Sequence, residues 1–464
     1  RRYQGAPLLP LDRGPFPKSP PYERAFWEGN LGPATLDLSS VSRLFYDSLS
    51  LSAWKRAGQS TWSLRVNPSS GNLHPTEAHL ILPRVEGLEG GIYHYNPLLH
   101  ALEQRAVVSE EVWHNIFSHF GCEGFLIGFS SIFWRESWKY GERAFRYCNH
   151  DVGHALAAVS FSANLFGWKA SYLSGLSDQE LDTLLGFDRA GFGALEEEHP
   201  ELMCWVHPHP CPDIDRRLSD NLISAFKDVS FKGRPNRLSR QPVNWEIIYH
   251  TANLTRQPAT AEQRYEFTGP FAFREEPIAM AAAKIIRQRR SATAFDRKGS
   301  LTREQFLALL DKTLPRNDCA PFDVGLGNPW LHLLVFVHRV EGLTPGLYFY
   351  IRNDKALDSI KRLTRPKFVW EPVENNFPLF LLEKGTFQQQ AMMVSCHQEI
   401  AGDSAFSLGM IADFKERVIS SPSAYRQLFW ESGMIGQVLY LAAEALGVRG
   451  TGIGCFFDLS LIHI

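Results

Sequence analysis

Residues 424–458 read AYRQLFWESGMIGQVLYLAAEALGVRGTGIGCFFD, and residues 144–178 read AFRYCNHDVGHALAAVSFSANLFGWKASYLSGLSD. An offset of 280 residues pairs several identical positions: Arg146 with Arg426, Gly153 with Gly433, and Gly167 with Gly447. In both stretches apolar residues recur at helical spacing up to a glycine suited to a helix C-terminus, and a strand-like segment follows. The repeat therefore predicts the same helix–turn–strand unit in each half of the chain.

A second repeat lies earlier in each half. Residues 84–95 read RVEGLEGGIYHY and residues 339–350 read RVEGLTPGLYFY, each preceded by an apolar run, at 78–82 and 331–337. Alternating β-branched and aromatic residues around a glycine-containing turn are typical of a β-hairpin. Because both repeats occur in the same order, the sequence predicts an α+β fold built from two tandem copies of one domain that form an intrachain pseudo-dimer.

The repeats and the composition shifts predict four regions. They are an extended arm at 1–29, a first domain at 30–210, a Pro-rich linker at 211–244 and a second domain at 245–464.

Charge and hydropathy exclude two classes of partner. The 464 residues carry 48 Lys and Arg against 50 Asp and Glu, a net charge of −2, so no basic excess favours nucleic acid. No apolar run reaches the length of a membrane span, and Arg1–Trp27 lacks the apolar region of a signal peptide. We expect a cytoplasmic protein that acts on a small molecule or peptide and that can exist as a monomer.

The seven cysteines are widely spaced and include no CxxC pair, which favours free thiols in a reducing compartment. Cys204 and Cys211 flank His207 and His209, a pattern that imitates a metal cluster. Prolines interrupt this pattern and no second ligand pair follows at zinc-finger spacing, so we expect no metal site.

The halves differ where polar and glycine residues concentrate. The first half has RVNPSSGNLHPTE at 65–77, a run of short hydrogen-bonding side chains where the second half has only GLGNPW at 325–330. The second half has RRSATAFD at 289–296, which is either a phosphate-binding helix end or a solvated basic one. It also has RGTGIGC at 449–455, which follows a helix and so fails the dinucleotide fingerprint, but lets the backbone approach a planar group closely.

Together, RRSATAFD, PSSGNLHP and the 425–456 stretch resemble three signatures of the FMN-dependent nitroreductase superfamily. The first half is similar to the branch that contains the azoline (thiazole/oxazole) dehydrogenases, on the basis of RVNPSSGNLHPTE, GIYHY and the KYGER stretch at 139–143. The resemblance implies an α+β dimer with FMN between subunits, each flavin taking its phosphate grip from one subunit and the Pro-Ser-Ser turn from the other.

The resemblance also implies which residues hold FMN. Those of the second half are Arg289, Arg290 and Ser291 at the phosphate and ribityl end, and the backbone of Gly452, Gly454 and Cys455 near flavin N5. Those of the first half are Arg65, Pro68, Ser69, Ser70 and Asn72. Since each half keeps one side of a site, the repeat predicts one complete composite FMN site per chain. Thr293 stands where the family commonly has a basic residue.

In the azoline dehydrogenases that the first half resembles, a Lys-Tyr pair removes a proton while a hydride passes to flavin N5, and the resemblance places Lys139 and Tyr140 at that pair. The alternative interpretation is that the two residues lie on an exposed turn. Either nitro- and quinone-type compounds are reduced with NAD(P)H as a transient reductant, or peptide azolines are oxidised. Two further alternatives are a non-catalytic flavin-binding scaffold and an HD-type metal phosphohydrolase based on His150, Asp151 and His154.

Overall fold

A computed structural model describes residues 1–27, 31–211, 214–260, 278 and 280–457 of the chain. Its helices are α1 (Leu38–Tyr46), α2 (Glu110–Phe120), α3 (Trp134–Tyr140), α4 (Ala144–Asn164), α5 (Asp178–Leu185), α6 (Asp220–Ala225), α7 (Glu246–Leu254), α8 (Ala282–Gln288), α9 (Arg303–Asp311), α10 (Leu357–Leu363), α11 (Gln388–Val394), α12 (Glu399–Asp403), α13 (Phe414–Ser420) and α14 (Ala424–Ala445).

The strands are mostly short. They are β1 (Tyr3–Gln4), β2 (Leu8–Pro10), β3 (Leu51–Ala57), β4 (Ser60–Arg65), β5 (Thr76–Leu82), β6 (Gly91–Asn96), β7 (Ala101–Val107), β8 (Phe125–Ser131), β9 (Trp168–Tyr172), β10 (His199–Pro208), β11 (Arg234–Pro235), β12 (His332–Val337), β13 (Gly346–Tyr350), β14 (Glu371–Pro372), β15 (Leu379–Lys384) and β16 (Phe406–Ile411).

Each half contains an antiparallel sheet, and the two sheets share their central order. The first runs β2-β7-β6-β5-β8-β10-β9 and the second runs β14-β15-β13-β12-β16. The predicted hairpins are β5–β6 and β12–β13, which form the centres of the two sheets. The strand that precedes the long helix, β8 or β16, joins the same edge of each hairpin. The predicted α+β fold of two tandem copies is confirmed.

The regions predicted as an arm and a linker carry secondary structure of their own. In the arm, β2 adds to the edge of the first sheet and β1 pairs with β11. The 211–244 segment contains both α6 and β11. These segments pack on the first copy and also contact the second, since the Tyr22 amide donates to the Met280 oxygen and Arg216 donates to the Val324 oxygen.

The two copies meet along α4 and α14, the helices of the 280-residue repeat, and the contact follows the repeat. A Cβ on Gly153 would lie 2.1 Å from the backbone oxygen of Trp430, and a Cβ on Gly433 would lie 2.1 Å from that of His150. Trp430 and His150 are themselves 280 residues apart. This reciprocal contact is what a two-fold axis between the helices requires, and only glycine permits so close a backbone approach.

The core is continuous across this interface. Buried residues of α4, such as Leu156 and Val159, belong to the same hydrophobic cluster as Ile435 and Val438 of α14. Of the helices within the described residues, none combines the length and apolar character needed to cross a bilayer.

The expectation of seven free thiols is wrong. Disulfides join Cys122 to Cys211 and Cys396 to Cys455, while Cys148, Cys204 and Cys319 are free and buried. The paired cysteines are 89 and 59 residues apart, so tertiary structure rather than local spacing brings them together.

Candidate functional site

The polar loop of the first half, residues 67–74 (hereafter the serine loop), is held in a fixed conformation by its own side chains. Ser69 Oγ accepts a hydrogen bond from the His74 amide at 2.8 Å, and the Asn72 side-chain amide donates to the Ser63 oxygen at 2.8 Å. The Ser70 amide donates to Asp151 Oδ1 of α4 at 3.0 Å. The loop is therefore tied to the interface helix.

Gly71 brings this loop against the predicted catalytic pair. Its φ is +57°, and a Cβ there would lie 2.3 Å from the Tyr140 hydroxyl and 3.0 Å from Lys139 Nζ. Lys139 Nζ in turn lies 5.1 Å from the centre of the Tyr140 ring. A side chain at position 71 would displace the ends of the Lys139 and Tyr140 side chains, and the positive φ favours glycine.

Arg289, at the C-terminus of α8, is a buried cation with unused donors. Only 4% of its surface is exposed, and among the described residues its Nε and Nη1 have no hydrogen-bond partner. Its guanidinium carbon lies 5.0 Å from the centre of the Tyr440 ring, and burial lowers its pKa. Since a buried charge without partners is costly, this arrangement suits an anion that supplies the acceptors.

Tyr440 of α14 organises the rest of this region. Its hydroxyl lies 3.0 Å from Ser291 Oγ and accepts a hydrogen bond from the Gly452 amide at 2.7 Å. The Ala292 amide donates to the Gly450 oxygen at 2.9 Å. Arg289, Ser291 and the segment 450–457 (hereafter the glycine segment) thus form one cluster.

The glycine segment connects this cluster to the first half. The Tyr147 hydroxyl donates to the Gly454 oxygen at 2.8 Å, and Arg143 Nη1 donates to Cys455 Sγ at 2.9 Å. The Tyr147 ring packs edge-on against Tyr140 with 4.8 Å between centroids. A continuous chain of contacts therefore runs from the serine loop through Tyr140, Tyr147 and Gly454 to the Arg289 cluster.

Two buried carboxyl groups lie beneath the serine loop. Burial raises the pKa of Asp151 to about 7, although hydrogen bonds from Ser69 and Ser70 lower it. Burial and the charge of Asp151 raise the pKa of Glu136 to about 10. Glu136 is one turn before Lys139 and Tyr140 on α3, so a protonated acid lies close to the predicted catalytic pair.

Histidines in this region are neutral. Burial lowers the pKa of His154 to about 3, and burial followed by the charges of Arg65 and Arg135 lowers that of His74 well below its usual value. The charge of Arg289 also lowers the pKa of both histidines, which belong to the first half. The charge of Arg289 therefore reaches across the interface.

The structure brings most of the predicted residues together, whereas the side chains of two predicted arginines bond to backbone oxygens. The Arg290 guanidinium donates to the backbone oxygens of Arg287 and Arg289, at 2.9 and 2.7 Å. Arg65 donates to the Thr76 oxygen at 3.2 Å, and Pro68 directly precedes the serines. Whether Arg65, Pro68 and Arg290 touch a cofactor stays a prediction.

The histidines and aspartate of the HD pattern have separate partners. His150 packs on the Phe429 ring, Asp151 binds Ser70, and His154 lies 3.2 Å from Gln437. Among the described residues they belong to no group of converging metal-ligand atoms. This geometry does not fit an HD-type site, because its ligands would have to converge on one ion.

Sequence reasoning did not single out Tyr147, Tyr440 or Glu136, and it considered Asp151 only within the HD-type alternative. Tyr147 lies inside a quoted motif, but an aromatic residue at helical spacing is more often a core residue, so no sequence signal separates the two roles.

Side chains of the protein occupy part of the position related by the pseudo-two-fold axis. Subtracting 280 from Gly452 and Gly454 gives Tyr172 and Ser174. Arg216 Nη1 donates to the backbone oxygens of Tyr172 and Val324 at 3.2 Å each, and Gln257 Nε2 donates to that of Ser174 at 2.7 Å. The Arg216 guanidinium also lies against Gly325, where the second half's counterpart of the serine loop begins.

Comparisons with known proteins agree with this architecture. The model of the Nitroreductase family matches residues 286–463, in the second copy. A curated protein of Methanocaldococcus jannaschii, provisionally assigned as a nitroreductase, is 27% identical over 124 residues, which are 25% of this chain and 62% of that protein. The aligned part of the chain thus spans less than two thirds of this relative.

A solved structure matches almost the entire chain. The crystal structure of an Anabaena variabilis protein, also provisionally assigned as a nitroreductase, aligns with a TM-score of 0.66 and 20% identity, covering 99% of this chain and 91% of that one. At this identity the match shows the fold. The family match supports an oxidoreductase of flavin type in general.

Proposed function

We propose that the protein is an FMN-dependent oxidoreductase with one composite flavin site between its halves. The observation that carries the proposal is Arg289, a buried cation with two donors that lack a partner among the described residues. A continuous chain of contacts connects it to the serine loop of the other half. A phosphate group supplies the acceptors that such a guanidinium lacks.

The second half would hold the phosphate end and one edge of the ring. Arg289 and Ser291 would bind the phosphate, and Tyr440 orients Ser291 through its 3.0 Å contact. Gly450, Gly452 and Gly454 have no side chain, so the backbone at these positions can approach a planar ring closely. The serine loop would close the site from the first half, with Asp151 fixing the Ser70 amide.

Bound FMN would supply hydride transfer at N5. Lys139 and Tyr140 would handle the accompanying proton, because their Nζ and hydroxyl groups lie against the serine loop at Gly71. Glu136, protonated at neutral pH, and Asp151, which titrates near neutrality, would hold protons behind this pair.

The contacts of Arg216 at the counterpart position support one flavin per chain. Arg216 bridges the two segments that correspond to the glycine segment and the serine loop, so a second flavin would have to displace its hydrogen bonds to Tyr172 and Val324. A single chain would then contain a complete site without a partner subunit.

The substrate is proposed only as a class. Trp138 and Trp245 are 53% and 39% exposed, and Trp245 packs against Gly141, next to the catalytic pair. Exposed aromatic faces favour flat or apolar substrates, including nitroaromatics, quinones and peptide azolines. For reduction, NAD(P)H would reach the flavin at the same site.

The test begins with reconstitution of the purified chain with FMN. We expect one flavin per chain, bleaching by dithionite, and weaker binding in both Arg289→Ala and Ser70→Ala, which lie in different halves. A ratio of two flavins would contradict the single composite site, and failure to bind FMN would overturn the proposed function. Stoichiometric binding without turnover of any nitro, quinone or azoline substrate would favour the non-catalytic scaffold.

A further inference from the structure

A second group of reactive side chains lies outside the candidate site. Cys122 follows α2, His207 is near the end of β10, and Cys211 follows that strand. Their potential ligand atoms all lie within 4.8 Å of one another. Both cysteines are partly exposed and His207 is buried, so small ions and reductants can reach the group from solvent.

His207 has the tautomer that a metal ligand needs. Its Nδ1 lies 2.8 Å from the Pro208 backbone oxygen, which can only accept, so Nδ1 carries the proton. In the neutral ring Nε2 is then unprotonated and accepts from Ser171 Oγ at 3.1 Å. A ring held by a backbone carbonyl on one nitrogen, with a lone pair on the other, is the usual arrangement of a metal-binding histidine.

We propose that Cys122, His207 and Cys211 form a zinc site when the Cys122–Cys211 disulfide is reduced. Two thiolates and one imidazole are a preferred zinc set, with water completing a tetrahedron. Ligands about 2.0 to 2.3 Å from a tetrahedral ion lie roughly 3.3 to 3.8 Å apart, within the observed 4.8 Å limit. Forming the site requires the sulfurs to separate by about the width of one atom and Nε2 to exchange Ser171 for the ion.

The disulfide and the zinc-bound dithiol are the two states of a redox switch. A dithiol or phosphine reductant gives two electrons to the disulfide, which takes up two protons and becomes two thiols. Zinc then binds the two thiolates and His207 and releases those protons to solvent. Either the disulfide or the bound zinc would tie the beginning of the 211–244 segment to the first copy. The two states exclude each other, because both use the sulfurs of Cys122 and Cys211.

The sequence pattern pointed to the wrong pair of cysteines. Cys204 is fully buried in the hydrophobic core and, within the described residues, is not a member of the group. The second sulfur comes instead from Cys122, 89 residues before Cys211. A non-local ligand of this kind has no counterpart in zinc-finger spacing.

The test uses the full chain, with zinc alone as the probe. We expect the protein reduced with a phosphine and freed of metal to take up one zinc per chain, and the oxidised protein to take up none. Cobalt in place of zinc should give the absorption bands of tetrahedral thiolate coordination. Cys122→Ser should abolish uptake, while Cys396→Ser, at the other disulfide, should retain it.

A second measurement does not depend on how the variant folds. In the unmodified reduced chain, zinc should protect Cys122 and Cys211 from alkylation, as read by peptide mass spectrometry, and leave Cys396 and Cys455 unprotected. No uptake by the reduced chain, uptake that survives Cys122→Ser, or equal alkylation with and without zinc would overturn the proposal.

Discussion

Replacing Arg289 with methionine should weaken FMN binding without destabilising the flavin-free protein. Methionine keeps much of the apolar length of the side chain but removes the charge. Arg289 is 4% exposed, and its guanidinium has two donors without partners among the described residues. Charge-assisted hydrogen bonds contribute about 1.5 to 3 kcal/mol each. Losing two should therefore cost at least about 3 kcal/mol of binding, roughly a hundredfold rise in Kd.

The stability of the flavin-free protein should not fall when Arg289 is replaced with methionine. A buried charge with unused donors is unfavourable in the absence of an anion, and the lost contact with Tyr440 contributes only about 0.5 to 2 kcal/mol. We therefore expect the unfolding free energy of flavin-free Arg289→Met to equal or exceed that of the parent. Flavin fluorescence titration gives the Kd, and urea unfolding gives the stability.

Arg290→Met is the matched control. The Arg290 guanidinium donates to the backbone oxygens of Arg287 and Arg289, so its loss should lower stability and change the Kd much less. An unchanged Kd in Arg289→Met, or the same loss of affinity in both variants, would refute the assignment of Arg289 as the phosphate ligand.

Three more changes test the surroundings of the site. Gly433→Ala should lower the unfolding free energy by more than about 3 kcal/mol, because its Cβ would lie 2.1 Å from the His150 backbone oxygen; urea unfolding measures this, and a loss under about 1 kcal/mol would contradict the close helix contact. Burial raises the pKa of Asp151 from 3.8 to about 7, so its contribution to stability is fully present below about pH 4 and is lost as the pH rises to about 7. Asp151→Asn should remove that part of the stability–pH profile, and an unchanged profile between pH 4 and 7 would contradict a buried, titrating carboxyl group. Reducing the Cys396–Cys455 disulfide, or replacing Cys396 with serine, should weaken FMN binding severalfold, since it releases one anchor of the glycine segment; equal Kd values would show that the remaining anchors suffice.

The repeats made the fold predictable because the repeated residues form equivalent contacts in both copies. Gly153 and Gly433 occupy equivalent places in the sequence, and the structure shows that each admits the backbone of the other helix. The hairpins are equally local, since β5–β6 and β12–β13 are set by alternating residues and a nearby turn. A feature repeated in sequence and formed by neighbours along the chain can be recognised without coordinates.

Much of the candidate site is neither repeated in sequence nor formed by residues that are neighbours along the chain. Tyr440 meets Ser291 across 149 residues, and Tyr147 meets Gly454 across 307. Cys455 was expected only to present its backbone, but Cys396 pairs with its sulfur from a turn 59 residues away. Motifs identify which segments carry polar groups, whereas the tertiary fold alone decides which side chains complete them.

The two copies differ most informatively at one equivalent pair of carboxyl groups. Adding 280 to Asp151 gives Glu431, and each accepts a hydrogen bond at 3.0 Å from a loop amide, that of Ser70 or of Trp330. Glu431 also forms a buried ion pair with Arg352. Asp151 Oδ2 has no hydrogen-bond partner among the described residues, and its pKa of about 7 lets it exchange a proton near neutrality. The scaffold therefore keeps the same anchor in both halves, while Asp151 retains an oxygen without a hydrogen-bond partner among the described residues. That asymmetry favours placing the proton chemistry beside the serine loop.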